Sequence, residues 1–244
     1  MIHQIHKSHF SGHGPIKILY PGKVLSRPDT GIGSIGRIDH AVFNGSTLIP
    51  MHPHVNDEIL TYLRSGSAEH KDSEGYTEII RNNKLMLMKA GHLFYHEEKV
   101  FGDAGTLEGL QIFIRPARKN LVPSVTFLDL ENAVSPNIWR LLASPDAENA
   151  LQFSSKTWVF DIMANAGTEL NLPFLSSDKL TVLLYVFNGK ISVNHQFILS
   201  KMEGLVMNDE HPIIEPLEDS EMVLFVTDES AEIFKGGMYS GNQF

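Results

Sequence analysis

Two pairs of potential metal ligands, about forty residues apart, constrain the fold of this chain more than any other feature. They are His52-Pro53-His54 and His96-Glu97-Glu98. Side chains two positions apart leave the same face of an extended strand, whereas a helix would splay them, and Pro53 also disfavours a helix. One such pair alone is more often an exposed or core feature than a metal site. Together the two pairs offer three imidazoles and a carboxylate, a set that suits one redox-capable divalent metal.

The residues around these pairs resemble the pirin family of cupins. The hallmarks of that family are an HPHxxxE stretch, an EHxDSxG hairpin, an AGxxxxHxE strand and a GLQLWV-like strand. They match, in that order, His52–Glu58, Glu69–Gly75, Ala90–Glu98 and Gly109–Ile114, a tight match over about 65 residues. The resemblance implies an all-β protein with two tandem cupin (jelly-roll-like) β-barrels, that is, a bicupin.

The same resemblance implies a metal site made of four side chains, all retained here: His52, His54, His96 and Glu98. One divalent transition metal is expected, with Fe(II) first and Mn, Ni, Co or Zn as alternatives, because such a set leaves positions of the ion open. Glu58 is expected to anchor a strand or to support the ligands. Asn56-Asp57 replaces a Gly-Phe pair that is usual in the family, which leaves ligation intact but alters the expected pocket wall.

An enzymatic role follows from the resemblance as an expectation. In flavonol-cleaving cupin dioxygenases, which pirins resemble, the 3-hydroxyl of the substrate binds the metal as its anion, and dioxygen attacks the ring with loss of carbon monoxide. By that analogy the chain is expected to be a quercetin 2,3-dioxygenase-like oxygenase acting on flavonol-type or related aromatic enols. Glu98 would serve as ligand and as proton acceptor in turn.

Two other functions remain open at this point. One is a metal-dependent regulatory protein that binds a protein partner, and the other is a cupin that binds a sugar or small acid without catalysis. Fold and ligand set do not fix the substrate. A deep pocket wide enough for a planar aromatic would favour the oxygenase, and a shallow or plugged site would favour the alternatives.

Composition narrows the classes of partner. The formal net charge is −9 at pH 7 and Lys and Arg are not clustered, which argues against direct binding of nucleic acid. The absence of cysteine excludes disulfides, thiolate ligands and cysteine nucleophiles, and it is compatible with a reducing cytosol. No apolar run approaches the roughly 18 residues of a membrane span, and the first residues lack the apolar core of a signal peptide. We therefore expect a cytoplasmic protein that contacts neither membrane nor nucleic acid.

Short apolar runs separated by turns predict many strands and two domains. The strands predicted in the first half are 57–64, 67–71, 76–81, 85–88, 93–97 and 107–114. The character of the sequence changes over 115–145, where Asn137–Leu142 is compatible with one or two helical turns. The predicted organisation is an N-terminal cupin domain carrying the metal site over 1–118, a linker over 119–150 and a degenerate C-terminal cupin domain over 151–244.

The second half repeats a motif of the first but not its ligands. Tyr62–Ala68 aligns with Tyr185–Ile191, with a strand, a glycine turn and a second strand in each. Where a second His-x-His pair would fall, Leu172–Asp178 offers no ligand, and His211 has no partner two residues away. One metal is therefore expected, in the N-terminal half, and the C-terminal half is expected to shield the first barrel or to supply a binding surface. His70 is interpreted as a surface or structural residue of its hairpin.

Overall fold

Strands dominate the protein. The computed structural model describes residues 2–102, 105–146, 148–173, 179–208 and 212–243. Within these ranges the helical elements are a 3-10 turn at Lys7–His9 and a short helix α1 at Pro21–Val24. No helix there has the length and apolar character that crossing a bilayer requires. Leu172 and Pro173 are described, whereas the rest of the ligand-free stretch, 174–178, and His211 lie outside the described residues.

Twenty-one strands make up most of the described chain. In chain order they are β1 (Ile2–Ile5), β2 (Phe10–Ser11), β3 (Ile16–Leu19), β4 (Ile35–Asn44), β5 (Thr47–His54), β6 (Glu58–Ser65), β7 (Ser67–Asp72), β8 (Thr77–Arg81), β9 (Lys84–Lys89), β10 (Phe94–Val100), β11 (Thr106–Ile114), β12 (Ser124–Asp129), β13 (Arg140–Ser144), β14 (Leu151–Gln152), β15 (Thr157–Ala164), β16 (Leu180–Asn188), β17 (Lys190–Val193), β18 (Phe197–Ser200), β19 (Gly204–Asn208), β20 (Ile214–Pro216) and β21 (Ser220–Asp228). The predicted all-β bicupin architecture is confirmed.

The first barrel is formed by one large antiparallel sheet. Its strand order is β2-β3-β4-β11-β6-β9-β8-β7-β10-β5, and β12 also pairs with β9. The strands predicted from sequence coincide with β6 to β11 to within one residue, except that β10 continues to Val100. In β10 the buried side chains alternate with more exposed ones, and Val100 ends the inward-facing series.

The second barrel combines two sheets. Seven strands lie in the order β1-β19-β16-β21-β15-β13-β14, and three more in the order β18-β17-β20. The motif repeated between the halves is present in the structure, since Gly66 and Gly189 each turn the chain at positive φ, +71° and +90°. Only glycine adopts this conformation without strain, which explains why the turn is readable from sequence.

The first strand of the chain belongs to the second barrel, and the segment after the last strand packs on the first barrel. β1 pairs with β19, with Ile2 opposite Met207 and Ile5 opposite Gly204, so the first strand belongs to the sheet of the second barrel. In the opposite direction, the segment after β21 packs on the first barrel. There the carbonyl of Ser240 accepts a hydrogen bond of 2.8 Å from Nε of the fully buried Arg115.

The range 119–150, predicted as a linker, contributes a strand to each barrel. β12 pairs with β9 from Ser124 opposite Lys89 to Asp129 opposite Lys84, and β13 pairs with β15. These pairings bury backbone groups that a free linker would leave in water. The division into units over 1–118 and 151–244 stays a prediction.

The helical turns considered for Asn137–Leu142 are wrong. Asn137 has a φ of +56°, which a helix does not allow, and strand β13 begins at Arg140. Arg140 lies opposite Asp161 of β15 and donates to its carboxylate at 2.6 and 2.9 Å. A short apolar run does not distinguish helix from strand, and the pairing with β15 decides the conformation here.

An apolar core joins the two barrels. It contains Ile38, Leu60, Ile112 and Ile114 from the first barrel, and Leu183, Val223 and Phe225 from the second. One tyrosine from each barrel forms a hydrogen bond with a residue of the other barrel. Tyr62 donates to Asp161 at 3.0 Å, and the hydroxyl of Tyr185 lies 2.6 Å from Nδ1 of His40. The barrels thus share one core, while each has its own interior.

Candidate metal centre

Strands β5 and β10 bring three histidines together inside the first barrel. His96 lies directly opposite His52, and Phe94 lies opposite His54. One ring nitrogen from each of His52, His54 and His96 lies within 4.8 Å of the others. His54 and His96 are buried, whereas His52 is partly exposed, so the cluster opens toward solvent at His52.

A bulge in β5 shapes this cluster. Between His96 and Glu98 the register shifts, so that Glu98 faces Ile49 rather than a residue two positions before His52. The extra residue falls next to Pro50, which has no N–H to donate to a ladder and is therefore tolerated there. The carbonyl of Pro50 lies 2.9 Å from Nδ1 of His52. A proton on Nδ1 satisfies this contact and leaves the lone pair on Nε2.

The donor set fits a divalent transition metal. Nε2 of His54 and Nε2 of His96 lie 3.0 Å apart. Two imidazole nitrogens bound at right angles to one ion at roughly 2.1 Å would stand about 3 Å apart. Nδ1 of His54 is buried without a hydrogen-bond partner and lies 3.8 Å from Oδ2 of Asp57, so a proton there would point toward a carboxylate. The two facing nitrogens can then both present lone pairs.

The cluster holds His96 in its neutral form. Burial, together with the neighbouring His54, His52 and His70, lowers the pKa of His96 to about 2. A neutral imidazole is the form that binds a metal. His70, which sequence analysis interpreted as a surface or structural residue, is buried, and its Nδ1 lies 3.3 Å from Nδ1 of His96.

Glu98 lies on the same face of β10 as His96 but is not part of the histidine cluster. Nε2 of Gln111 donates to both of its carboxylate oxygens, at 2.9 and 3.0 Å. Glu98 also lines an internal cavity of about 40 Å³, whose other polar lining comes from Gln111, Thr61 and Asp39. The role of Glu98 as a ligand stays a prediction.

Asp57 connects the candidate metal centre to residues Gly237–Gly241, which we name the closing segment. Its carboxylate accepts hydrogen bonds from the backbone N–H groups of Tyr239, at 3.0 and 3.2 Å, and Ser240, at 2.8 Å. The ring of Tyr239 then lies 5.2 Å from that of His54. Asn56 has a φ of +55°, a conformation in which asparagine is enriched. Asn56-Asp57, which replaces the usual Gly-Phe pair of the family, therefore binds the closing segment, and this segment forms the pocket wall beside His54.

Aromatic and charged groups complete this wall. Phe113 packs 5.6 Å from the ring of Tyr239, and the guanidinium of Arg37 lies about 5 Å from both rings. Arg37 is paired with the buried Asp39. No sequence signal pointed to Tyr239 or Arg37, because their relation to His54 exists only after distant segments have packed together.

Glu58 has the anchoring role considered for it. Its buried carboxylate accepts hydrogen bonds from the backbone N–H of Ser154 at 3.0 and 3.2 Å, and it therefore ties β6 to the chain entering β15. Burial raises the pKa of Glu58. The glutamate after the HPH motif thus joins the two halves.

The fold and the site define a bicupin with a candidate centre for a divalent metal in its first barrel. Residues 33–114 match the family model described as Pirin. The quercetin 2,3-dioxygenase of Escherichia coli is 28% identical over 196 residues, covering 80% of this chain and 83% of that protein. The same activity is named provisionally for a Pasteurella multocida relative, 29% identical over 182 residues, or 72% of this chain and 74% of that protein.

Solved structures show the same fold. The bacterial pirin YhhW from Escherichia coli in complex with nickel(II) superposes with a TM-score of 0.79 at 23% identity, over 93% of this chain and 99% of that one. A quercetin 2,3-dioxygenase from Acinetobacter baumannii gives a TM-score of 0.73 at 20% identity, over 94% and 86% of the two chains. Residues 33–114, about a third of this chain, carry the match to the pirin family, and the solved structures agree with it in fold.

Proposed function

We propose that the protein is a metal-dependent oxygenase of the quercetin 2,3-dioxygenase type. The observation that carries the proposal is the convergence of His52, His54 and His96 on one point that is open toward solvent at His52. The relatives named for this activity support it. Flavonol-type or related aromatic enols are the proposed substrates.

The three histidines would hold the ion, and we propose Fe(II), with Mn(II), Ni(II) and Co(II) as alternatives. A divalent ion with open positions supplies a Lewis acid that binds the enolate of the substrate and, when redox-active, activates dioxygen. Glu98 follows His96 by two positions on the same inward face of β10. We propose that it contributes the fourth ligand.

The side chains around the cluster would handle the proton of the substrate and exclude water. Glu98 can accept the proton of an enol hydroxyl at a carboxylate oxygen, while the side-chain N–H of Gln111 holds that carboxylate in place. Tyr239 and Phe113 pack near the ring of His54, with centroids 5.2 and 6.3 Å away. This arrangement leaves the side at His52 as the approach for a substrate.

The size of the cavity beside Glu98 supports a second candidate. This cavity of about 40 Å³ is far smaller than the roughly 300 Å³ or more of ordinary small-molecule sites, and its lining does not include the three histidines, so a flavonol would have to bind at the opening near His52. A small acid that binds at the metal without catalysis would need less room at that opening than a flavonol.

The first experiment measures quercetin absorbance under air with metal-stripped protein reloaded with Fe(II), Mn(II), Ni(II) or Co(II). We expect metal-dependent decay with at least one ion. His96→Ala should reduce it by more than the roughly 10- to 100-fold that loss of a residue behind a ligand causes. His92→Ala, an exposed histidine in the turn before β10, is the matched control and should leave the rate unchanged.

The outcomes separate the two candidates. Glu98→Gln should keep part of the metal affinity through its amide oxygen but lose the decay, since an amide does not accept the proton. Full metal occupancy without decay of quercetin for any ion would overturn the oxygenase proposal and favour the small-acid-binding cupin. Metal affinity unchanged in His96→Ala would show that the ligand assignment is wrong.

A further inference from the structure

A fourth histidine and a carboxylate lie behind the candidate metal centre and are not among its proposed ligands. Strand β7 pairs with β10 and places His70 opposite Glu98 and Asp72 opposite His96. Both side chains are buried, with 1% and 7% of each residue exposed. His70 and Asp72 are two residues apart in an extended strand, so both point into the barrel.

These residues form a chain of contacts that ends at a proposed ligand. Oδ2 of Asp72 lies 2.7 Å from Nε2 of His70, and Nδ1 of His70 lies 3.3 Å from Nδ1 of His96. The other nitrogen of His96, Nε2, faces Nε2 of His54 at 3.0 Å. The series therefore runs from a carboxylate, through two imidazoles, to the proposed ion.

The carboxylate determines where each ring proton lies. A lone pair on Nε2 of His70 would face a carboxylate oxygen at 2.7 Å, so a neutral His70 carries its proton on Nε2 and donates it to Asp72. Nδ1 of His70 is then an acceptor. His96 satisfies it by carrying its own proton on Nδ1, which leaves the lone pair of His96 on Nε2.

We infer that Asp72 and His70 are positioning residues of the metal centre: together they fix His96 in the tautomer that presents its Nε2 lone pair beside those of His52 and His54. The inference rests on the proposed metal-binding role of this cluster. Residues behind a metal-binding histidine commonly set its tautomer and ring orientation in this way. The EHxDSxG hairpin thereby acquires a role in the site.

The hydrogen bonds in the turn after β7 allow a substitution of Asp72 that tests this role. Its Oδ1 accepts hydrogen bonds of 3.0 Å from the backbone N–H groups of both Glu74 and Tyr76. In Asp72→Asn the amide oxygen keeps these two contacts, so the amide N–H₂ faces Nε2 of His70. That donor requires an acceptor on Nε2, which moves the proton of His70 to Nδ1 and that of His96 to Nε2. The variant preserves the turn and inverts both tautomers.

The first measurement needs neither metal nor activity. Nitrogen-15 NMR of the histidine rings in metal-free wild-type protein distinguishes a nitrogen that carries hydrogen from one with a lone pair. We expect His70 to be protonated at Nε2 and His96 at Nδ1, and both to reverse in Asp72→Asn. A His70 ring protonated at both nitrogens, or tautomers unchanged in Asp72→Asn, would overturn the inference.

The second measurement is the dissociation constant for Co(II), together with the ligand-field spectrum of the bound ion. Asp72→Asn should weaken binding about 10- to 100-fold and alter the spectrum. The control is Glu215→Gln, because Glu215 also contacts a histidine, the exposed His195, at 3.0 Å, but in the second barrel and away from the candidate metal centre. A merely structural role of Asp72 would lower the melting temperature of Asp72→Asn while its affinity and spectrum stay at the wild-type values, and this would contradict the inference.

Failure of the inference and failure of the proposed function give different results. If wild-type protein binds Co(II) but does not consume quercetin, the oxygenase proposal fails while the tautomers and the effect of Asp72→Asn stand. If quercetin is consumed and Asp72→Asn matches the wild type in tautomer, affinity and spectrum, the positioning role fails while the oxygenase proposal stands.

Discussion

At the scale of single residues, Glu108 links the two barrels by charge. Its Oε1 lies 2.7 Å from Nε2 of the buried His40 on β4 and 2.6 Å from Nζ of Lys201 in the second barrel. The contact with His40, and then that with Lys201, lowers the pKa of Glu108 to about 2. The folded protein therefore prefers the ionised carboxylate.

This preference predicts a pH-dependent stability. The folded pKa lies below the ordinary value of 4.5, so the stabilisation is complete above about pH 4.5 and is lost as the pH falls toward 2. Glu108→Gln removes it. We expect the free energy of unfolding in urea to differ most between wild type and variant near neutral pH, and the difference to shrink near pH 3. Exposed Glu232→Gln is the control, and a difference that grows toward low pH would contradict the assignment.

Residues of the site differ in how far the sequence could reveal them. His52, His54 and His96 were predictable because the i, i+2 pattern and the resemblance both point to them, and the structure brings all three together. Asp57 was noticed only as a departure from the family, and its contact with Tyr239 spans 182 positions of the chain. No local pattern encodes such a distance.

At the scale of elements, the closing segment depends on a glycine. A Cβ at Gly237 would meet Oδ1 of Asp57 at 2.5 Å and the carbonyl of Asn56 at 2.6 Å. Neither atom can retreat easily, because Asp57 is buried and holds two backbone N–H groups. The side chain of a substituted residue would therefore push the segment away from the first barrel.

We predict that Gly237→Ala loosens the closing segment. Trypsin should cleave after the exposed Lys235 several-fold faster than in the wild type, and Co(II) affinity should fall because Tyr239 no longer covers His54. Met238→Ala lies in the same segment with its side chain exposed, and should behave as the wild type in both measurements. Wild-type cleavage of Gly237→Ala would show that the contact with Asp57 does not hold the segment.

Strands were more predictable than their irregularities. The bounds of β6 to β11 were predicted to within a residue at most ends, because short apolar runs between turns indicate strands and because β7 and β10 alternate buried and more exposed side chains. The bulge in β5 and the strand β13 did not, because both are fixed by the partner strand: β10 for the first and β15 for the second. A short apolar run, taken alone, does not indicate which strand it pairs with.

At the scale of the whole molecule, the two barrels are expected to unfold together. They share an apolar core, each is completed by a segment from the other end of the chain, and Tyr62 and Tyr185 form buried hydrogen bonds across the interface. Sequence analysis predicted two barrels from the resemblance to the pirin family, and the motif repeated between the halves agreed with it. It did not predict that each barrel is completed by a segment from the other end of the chain, because the sequence of β1 contains no motif that indicates which strand it pairs with.

Calorimetry tests this cooperativity. We predict one thermal transition for the full chain, because separating the barrels would expose the shared core. A fragment of residues 1–118 should not fold alone, since it lacks β12 and the closing segment, and addition of residues 119–244 should restore Co(II) binding. Two resolved transitions, or a folded 1–118 fragment with full affinity for Co(II), would disprove it.

The position of Tyr239 has a consequence for synthesis of the protein. A ribosome makes His52, His54 and His96 early, but Tyr239, which packs on His54 and binds Asp57 through its backbone, follows Asp57 by 182 positions. The proposed ligands of a nascent chain therefore stay uncovered until Tyr239 has been made. The proposed metal would meet its final environment only after residue 240 has left the ribosome, when the second barrel has folded and brought the closing segment back to the first.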